Sequence, residues 1–294
     1  LVKSPRKNAF FGVTCGLVAL RIVFSATLDI YGHMTAPART IPFVKMNGLG
    51  NDFIVVDGRT SPVRIDAEEA SHLANRQTGI GCDQVIVLEA SRHADVKMRI
   101  LNADGSEVGA CGNATRCVAW LLAEETGANR FAIDTQSGEL DAKVADIDNI
   151  TVDMGTPRFG WQDIPLAEAF HDTRHIELQA GPIDNPILHS PSVVNVGNPH
   201  AVFWVDDIDA IDLGRIGPLL ENHPIFPERA NISIAQIISP THMKIRTWER
   251  GAGLTRACGT AACAAAVTAM RKKLVDRGSP VTVSLPGGAL VISW

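Results

Sequence analysis

Two cysteines stand in nearly the same phrase, Ala110-Cys111-Gly112-Asn113-Ala114 and Ala257-Cys258-Gly259-Thr260-Ala261, 147 residues apart. Each phrase opens a run of helical character, which sets each thiol at or just before a helix N-terminus. There the first backbone N–H groups lack partners within the helix, and the macrodipole presents its positive end. A thiol so placed is expected to titrate below its free value of roughly 8.5, towards neutrality. The same N–H groups can hold a carboxylate. If the two helix ends converge, a carboxylate-bearing substrate lies between them with one sulfur on each face of its α-carbon. One thiolate then removes the α-proton as general base, and the opposite thiol returns a proton as general acid. The N–H groups of Gly112-Asn113 and Gly259-Thr260 would stabilise the charge that moves onto the carboxylate. This chemistry calls for no organic cofactor, and the sequence carries no evident pyridoxal phosphate site.

The duplication extends beyond the two phrases. Gly50-Asn51 and Gly197-Asn198 each precede their cysteine by the same distance, and the single offset also carries Gln84 onto Asn231, Asn102 onto Glu249 and Arg99 onto Arg246. A common offset for this many polar residues implies two related α/β lobes facing each other, each donating a cysteine to a shared cleft. A chain of 294 residues with 46% hydrophobic content supports a core in each.

Composition narrows the classes. A net charge of −5 without a Lys/Arg block offers no stripe for nucleic acid. The six cysteines include no C-x2-C pair, so a zinc framework is not expected. Reduced thiols point to the cytoplasm. Cys15, Cys82, Cys117 and Cys263 read as small buried hydrophobes. Near the start, Lys3, Arg6 and Lys7 precede an apolar run from Ala9 to Leu20, similar to a signal peptide or short anchor. That run is shorter than the roughly 20 residues a membrane-spanning helix needs, and no membrane partner is expected. Met34 precedes the first clear strand, so residues 1–33 read as upstream sequence and residues 1–40 as an extension outside the fold.

Local patterns supply the elements. Phe43–Met46 and Phe53–Asp57 read as strands joined by the turn Asn47-Gly48-Leu49-Gly50. A short helix runs from Asp66, its cap, to Asn75. Val85–Glu89 and Val96–Asn102 are strand-like, and Asp104-Gly105 turns the chain towards Cys111. Helices follow over Asn113–Thr126, stopped by Gly127, and over Thr260–Leu274, where a run of alanines allows close packing. The Pro- and Gly-bearing stretch Thr156–Pro191 reads as the crossing between lobes.

Six motifs in order carry a resemblance. They are Lys45-Met46-Asn47-Gly48-Leu49-Gly50-Asn51-Asp52-Phe53, Gly81-Cys82-Asp83-Gln84, Asn102-Ala103-Asp104-Gly105-Ser106-Glu107, Cys111-Gly112-Asn113, Gly197-Asn198-Pro199-His200, and Glu249-Arg250-Gly251-Ala252-Gly253 through Ala257-Cys258-Gly259-Thr260. Together they resemble the diaminopimelate epimerase family over residues 41–294. Asn47, Ala114 and Leu254 stand where that family usually has His, Gly and Glu, and members normally continue beyond the segment ending at Trp294.

The resemblance implies two pseudo-symmetric lobes, 41–155 with Cys111 and 156–294 with Cys258. Each would be a mixed, largely antiparallel sheet or barrel wrapped around a central helix, with the active site in the cleft between them. It also implies conversion of LL- to meso-diaminopimelate in lysine and peptidoglycan precursor biosynthesis, by a cofactor-independent isomerase that forms a homodimer. Cys111 and Cys258 would be the acid/base pair. Gly112, Asn113, Gly259 and Thr260 would hold the α-carboxylate. Asn51, Gln84, Asn102, Asn198, Asn231, Glu249 and Arg250 would contact substrate, with Asn102, Asn198, Asn231 and Arg250 at its distal end. His200 and Glu249 would tune the thiols. A rigid guanidinium fork suits a distal carboxylate, and amides can orient carboxylate and ammonium alike.

Taken singly, Asn198-Pro199 reads as a turn and Glu249-Arg250 as a surface pair. The ordered set outweighs those readings. His72, His93, His223 and His242 have no such support and read as surface or loop residues. The rival readings are a proline or hydroxyproline racemase, a thiol redox protein with a working Cys111–Cys258 disulfide, and a non-catalytic amino-acid-binding module.

Overall fold

The computed structural model describes the backbone of Gly12–Cys15, Ile22–Leu28 and residues 39–294, with side chains from Ile41 onward. Two short strands come first, β1 (Gly12–Cys15) and β2 (Ile22–Leu28). The first lobe then runs β3 (Arg39–Gly48), β4 (Asn51–Asp57), α1 (Ala67–Ala74), β5 (Gln84–Glu89), β6 (Val96–Asn102), α2 (Gly112–Thr126), β7 (Arg130–Thr135), β8 (Gly138–Asp146) and β9 (Asn149–Asp153). A crossing segment carries the small hairpin β10 (Gln179–Ala180) and β11 (Leu188–His189). The second lobe runs β12 (Ser192–Asn195), β13 (Pro199–Trp204), α3 (Leu213–Glu221), β14 (Asn231–Ser239), β15 (His242–Glu249), β16 (Gly253–Thr255), α4 (Gly259–Lys272), β17 (Val281–Leu285) and β18 (Gly288–Ser293).

The offset read from sequence reappears as strand register. β4 and β5 pair in parallel with Phe53 opposite Gln84, and β13 and β14 pair in parallel with His200 opposite Asn231, the same register moved by 147. The antiparallel partners agree as well, Val85 opposite Leu101 and Ile232 opposite Trp248. Each lobe thus makes two helical crossovers between parallel strands, a connection that antiparallel hairpins do not need. The second crossover in each lobe begins with a cysteine.

Burial follows from the layers. α1 with β3–β6, and α3 with β12–β15, form separate outer clusters, while α2 and α4 share one inner cluster that joins the lobes. Strands covered on both faces read as continuous apolar runs, such as Val85-Ile86-Val87-Leu88. β8 alternates buried Leu140, Ala142 and Val144 with exposed neighbours, as a strand covered on one face must. α4 is buried on all sides, and Ala261, Ala262, Ala264, Ala265 and Ala266 let the surrounding strands approach it closely.

Helix ends follow their local chemistry. Asp66 and Glu69 form a reciprocal capping box at α1, and Gly127 ends α2 in the left-handed conformation. Gly105 is a residue without substitute. Its φ is +82°, and an added Cβ would lie 2.3 Å from the Ala67 carbonyl oxygen. Gly105→Ala is expected to destabilise the protein by about 2 kcal/mol or more in urea unfolding. A change below about 0.5 kcal/mol, the ordinary surface range, would contradict this packing.

Within residues 1–40, read from sequence as an extension outside the fold, two described strands pair with the sheet, while the apolar run from Ala9 to Leu20 lies largely outside the described residues. β1 pairs antiparallel with both β9 and β18, and β2 pairs along β3. Pairing at an open sheet edge needs only backbone N–H and C=O groups, which composition does not reveal. Among the described residues, no helix is long and apolar enough to cross a membrane.

Candidate active site

Cys111 and Cys258 are the N-cap residues of α2 and α4. Their backbone angles nearly coincide, φ −145° and ψ 106° for Cys111, φ −135° and ψ 111° for Cys258. The N–H groups of Ala114 and Ala261, three residues on, point at the respective sulfurs. Among the described residues no other side chain caps either helix, so the first-turn donors face the space beside the thiols. The two helix starts touch where neither has a side chain, since a Cβ on Gly259 would sit 3.5 Å from the Gly112 α-carbon.

Both starts open onto one cleft of about 740 Å³, its mouth included. Every residue anticipated from sequence lines it except His200. Asn51, Gln84, Asn102, Cys111, Gly112 and Asn113 come from the first lobe, and Asn198, Asn231, Glu249, Arg250, Cys258, Gly259 and Thr260 from the second. Among the described residues, no cluster of His, Cys, Asp or Glu is arranged to hold a metal ion.

Hydrogen bonds fix the orientation of the polar wall. Ser106 donates to Asp104 at 2.5 Å, so its oxygen accepts from Asn102 Nδ2 at 3.1 Å, and Asn102 Oδ1 in turn accepts from Gln84 Nε2 at 2.9 Å. This relay leaves Gln84 Oε1 as a buried acceptor with no partner among the described residues, so that it can receive a donor such as an ammonium group. Asn51 donates to Asp83 at 2.7 Å. Asn113 reaches across to the Ala257 carbonyl at 3.3 Å and is held by Arg116, whose Nη2 donates to Asn113 Oδ1 at 2.5 Å. Asn231 donates to the Pro199 carbonyl at 3.0 Å and accepts from the Arg250 N–H at 3.0 Å. Arg250 is half-buried and donates to the Glu228 carbonyl at 2.9 Å. It makes no surface pair with Glu249.

The thiols depart from expectation. Burial is the largest influence on both and outweighs the helix N–H groups, pushing Cys111 up to about 11 and Cys258 well above its ordinary value. The Glu249 charge raises both further, while Arg116 and the Ala114 N–H lower Cys111. Glu249 is itself raised by burial, and accepts hydrogen bonds from the Thr255 hydroxyl and the Cys258 thiol. Cys258 also lies 3.4 Å from the Thr260 hydroxyl. Both shifts favour the protonated thiols. Cationic charge brought in by a ligand would favour the thiolate.

His200 lies behind the wall. It is fully buried, and its Nε2 donates to Asn198 Oδ1 at 2.8 Å, which leaves Nδ1 unprotonated and without a partner. The ring thus bonds Asn198, a residue of the cleft wall. Burial and then the Arg250 charge depress its pKa from 6.5 to about 3. Its neutral form therefore contributes stability above pH 6.5 that is lost as the pH falls towards 3. The slope is about 1.4 kcal/mol per pH unit. Urea unfolding between pH 8 and 5 should show a loss of about 2 kcal/mol from this group that His200→Gln lacks. Equal slopes in the two proteins would contradict the assignment.

Asp83, Thr255 and Arg116 belong to the site without having been anticipated in it. Asp83 stands inside a quoted motif, beside Gln84, and that was its signal. Thr255 likewise lies within the last quoted motif, just before Ala257, while Arg116 lies in the first turns of α2, where spacing gives no sign of it.

The diaminopimelate epimerase family model matches residues 43–160 and 192–294. A protein named diaminopimelate epimerase from Afipia carboxidovorans is 57% identical over 255 residues, covering 86% of this chain and 87% of that protein. One of the same name from Bradyrhizobium sp. is 55% identical, covering 88% and 89%. Among solved structures, a hydroxyproline epimerase from Agrobacterium vitis superposes with a TM-score of 0.58 at 14% identity, covering 85% of this chain and 87% of that one. A predicted epimerase from Pseudomonas aeruginosa superposes with a TM-score of 0.56 at 18% identity, covering 96% and 94%. Those two likenesses establish the two-lobed fold that the register describes. Sequence motifs, family model and high identity over most of its length agree that this chain belongs to the diaminopimelate epimerase family.

Proposed function

We propose that in this isomerase the conversion of LL- to meso-diaminopimelate, a step of lysine biosynthesis, is carried by Cys111 and Cys258 as an acid/base pair. The observation that carries the reading is the placement of two cysteines, in the same backbone conformation at the starts of two touching helices, on one cleft. The first-turn N–H groups of α2 and α4 hold the α-carboxylate between them. Gln84 Oε1 supplies an acceptor for an ammonium group, and Arg250 meets the distal carboxylate, with Asn102, Asn198 and Asn231 ordering that end.

Burial decides how the thiols work. A thiol raised by desolvation is a strong base once ionised, and the substrate ammonium supplies the charge that favours ionisation on binding. As the α-proton moves to one sulfur, charge spreads onto the carboxylate, where the fixed N–H groups stabilise it. The other thiol protonates the opposite face. Glu249 beside Cys258 responds to the change in charge there, and Thr255 holds its carboxyl in place. The lobes run 41–155 and 156–294, the enzyme works in the cytoplasm as a homodimer, and no cofactor takes part.

The purified chain tests this when given LL-diaminopimelate, meso-diaminopimelate, proline and hydroxyproline in turn, with the stereoisomers resolved chromatographically. Interconversion of the two diaminopimelates, with both ring amino acids left unchanged, is the expected result. Racemisation of proline or hydroxyproline in preference would refute it, because Arg250 and the amides beside it would then face no distal group.

A further inference from the structure

We propose that Glu221 is a positioning residue for substrate recognition, bracketing Glu249 and Arg250 so that the guanidinium meets the substrate's far carboxylate. The inference rests on the role given to Arg250 above. Glu221 closes α3 and is buried, with 5% exposure. Its carboxylate accepts from Trp248 Nε1 at 2.6 Å, from the Gly251 N–H at 3.0 Å and from Arg229 Nη1 at 3.2 Å. Trp248 immediately precedes the Glu249-Arg250 pair and Gly251 immediately follows it. One carboxylate, with its several lone-pair sites, therefore grips both ends of a two-residue segment that lines the cleft. Ionised acceptors make shorter and stronger bonds than neutral ones, and Arg229 balances the buried charge. Gly217 completes the arrangement, because a Cβ there would lie 2.6 Å from Trp248 Cγ and displace the indole.

The internal duplication gives an independent reason. Moving back by 147 residues carries Glu221 onto Ala74, Trp248 onto Leu101, Arg250 onto Ala103 and Gly251 onto Asp104. Ala74 and Leu101 are ordinary buried apolar residues. Both lobes keep the thiol and the helix start, and the Glu221–Trp248–Arg250 set occurs in the second lobe alone. A substrate whose reacting centre is flanked on both faces, but whose second amino-acid end extends one way, needs this combination of shared chemistry and one-sided grip.

The test compares wild type with Glu221→Gln and with Glu221→Gln/Trp248→Phe in the full chain. A glutamine amide would set a donor against the indole N–H, and the second variant removes that conflict while leaving Gly251 with a neutral acceptor. Two quantities are read: kcat and KM for LL-diaminopimelate, and the diaminopimelate concentration that halves thiol alkylation by iodoacetamide. Both KM and the protecting concentration should rise roughly tenfold to a hundredfold, the range for one weakened bond to a charged group. The fall in kcat should stay below about threefold, as for a loss of binding shared by ground and transition states. Active wild type with unchanged KM in the folded variants overturns this inference alone, as does a loss confined to kcat. Wild type without diaminopimelate activity overturns the functional reading and this inference with it.

Discussion

Cys111→Ala and Cys258→Ala should each abolish epimerisation, because one face of the α-carbon is then left with neither base nor acid. The two sulfurs occupy equivalent N-cap positions on touching helices, one from each lobe. Serine is the closer substitute in shape but a far weaker base at neutral pH. Each Cys→Ser variant is expected to lose on the order of 10²- to 10⁴-fold in rate, the contribution of one positioned acid or base. The half-reactions are more telling. Each single-thiol variant should still exchange the α-proton of the stereoisomer that faces its remaining sulfur, with retention, and the two variants should prefer opposite isomers. Polarimetry and α-proton NMR read the two outcomes separately. Near wild-type epimerisation by both alanine variants would contradict the two-thiol account.

Arg250→Met should act on binding instead. On the proposed binding mode the half-buried guanidinium pairs with the distal carboxylate in a partly desolvated cleft, and truncating one side of such a pair costs about 2–5 kcal/mol. That corresponds to a rise in KM of roughly thirtyfold to several thousandfold, with kcat less affected because the reacting centre lies at the other end of the substrate. Arg250→Lys should recover part of the loss, since an ammonium keeps the charge and lacks the planar fork. Steady-state kinetics with LL-diaminopimelate decides the matter. A KM for Arg250→Met within about threefold of wild type, less than one weak hydrogen bond, would remove Arg250 from the distal site.

Much of this architecture was legible because duplication repeats physics as well as letters. An offset that carries Gln84 onto Asn231 reappears as an identical register in two parallel strand pairs. The onset of helical character after each cysteine marked the helix starts, and Gly127 and Asp66 marked helix ends through their own chemistry. What sequence hid was environment. The expected fall in thiol pKa considered only the helix N–H groups, whereas desolvation depends on what the rest of the chain packs around the sulfur. His200 stood in a motif, but its place behind the cleft wall, bonded to Asn198, depends on packing that the motif does not show. Glu221 escaped notice because its counterpart in the first lobe is Ala74, so a search guided by repetition passes over it. β1 and β2 escaped for a different reason, since joining an open sheet edge draws on backbone groups that every residue possesses.

On the proposed mechanism one sulfur takes the proton and the other gives a different one. The most direct measurement is the initial reaction of LL-diaminopimelate in deuterium oxide, stopped at low conversion, with α-deuterium counted by mass spectrometry in substrate and product separately. The account predicts meso-diaminopimelate carrying one α-deuterium, drawn from the solvent-exchanged thiol on the opposite face, while recovered LL-diaminopimelate remains unlabelled. Product that retains the substrate's own hydrogen, or substrate that gains deuterium as fast as product forms, would mean that a single group moves the proton.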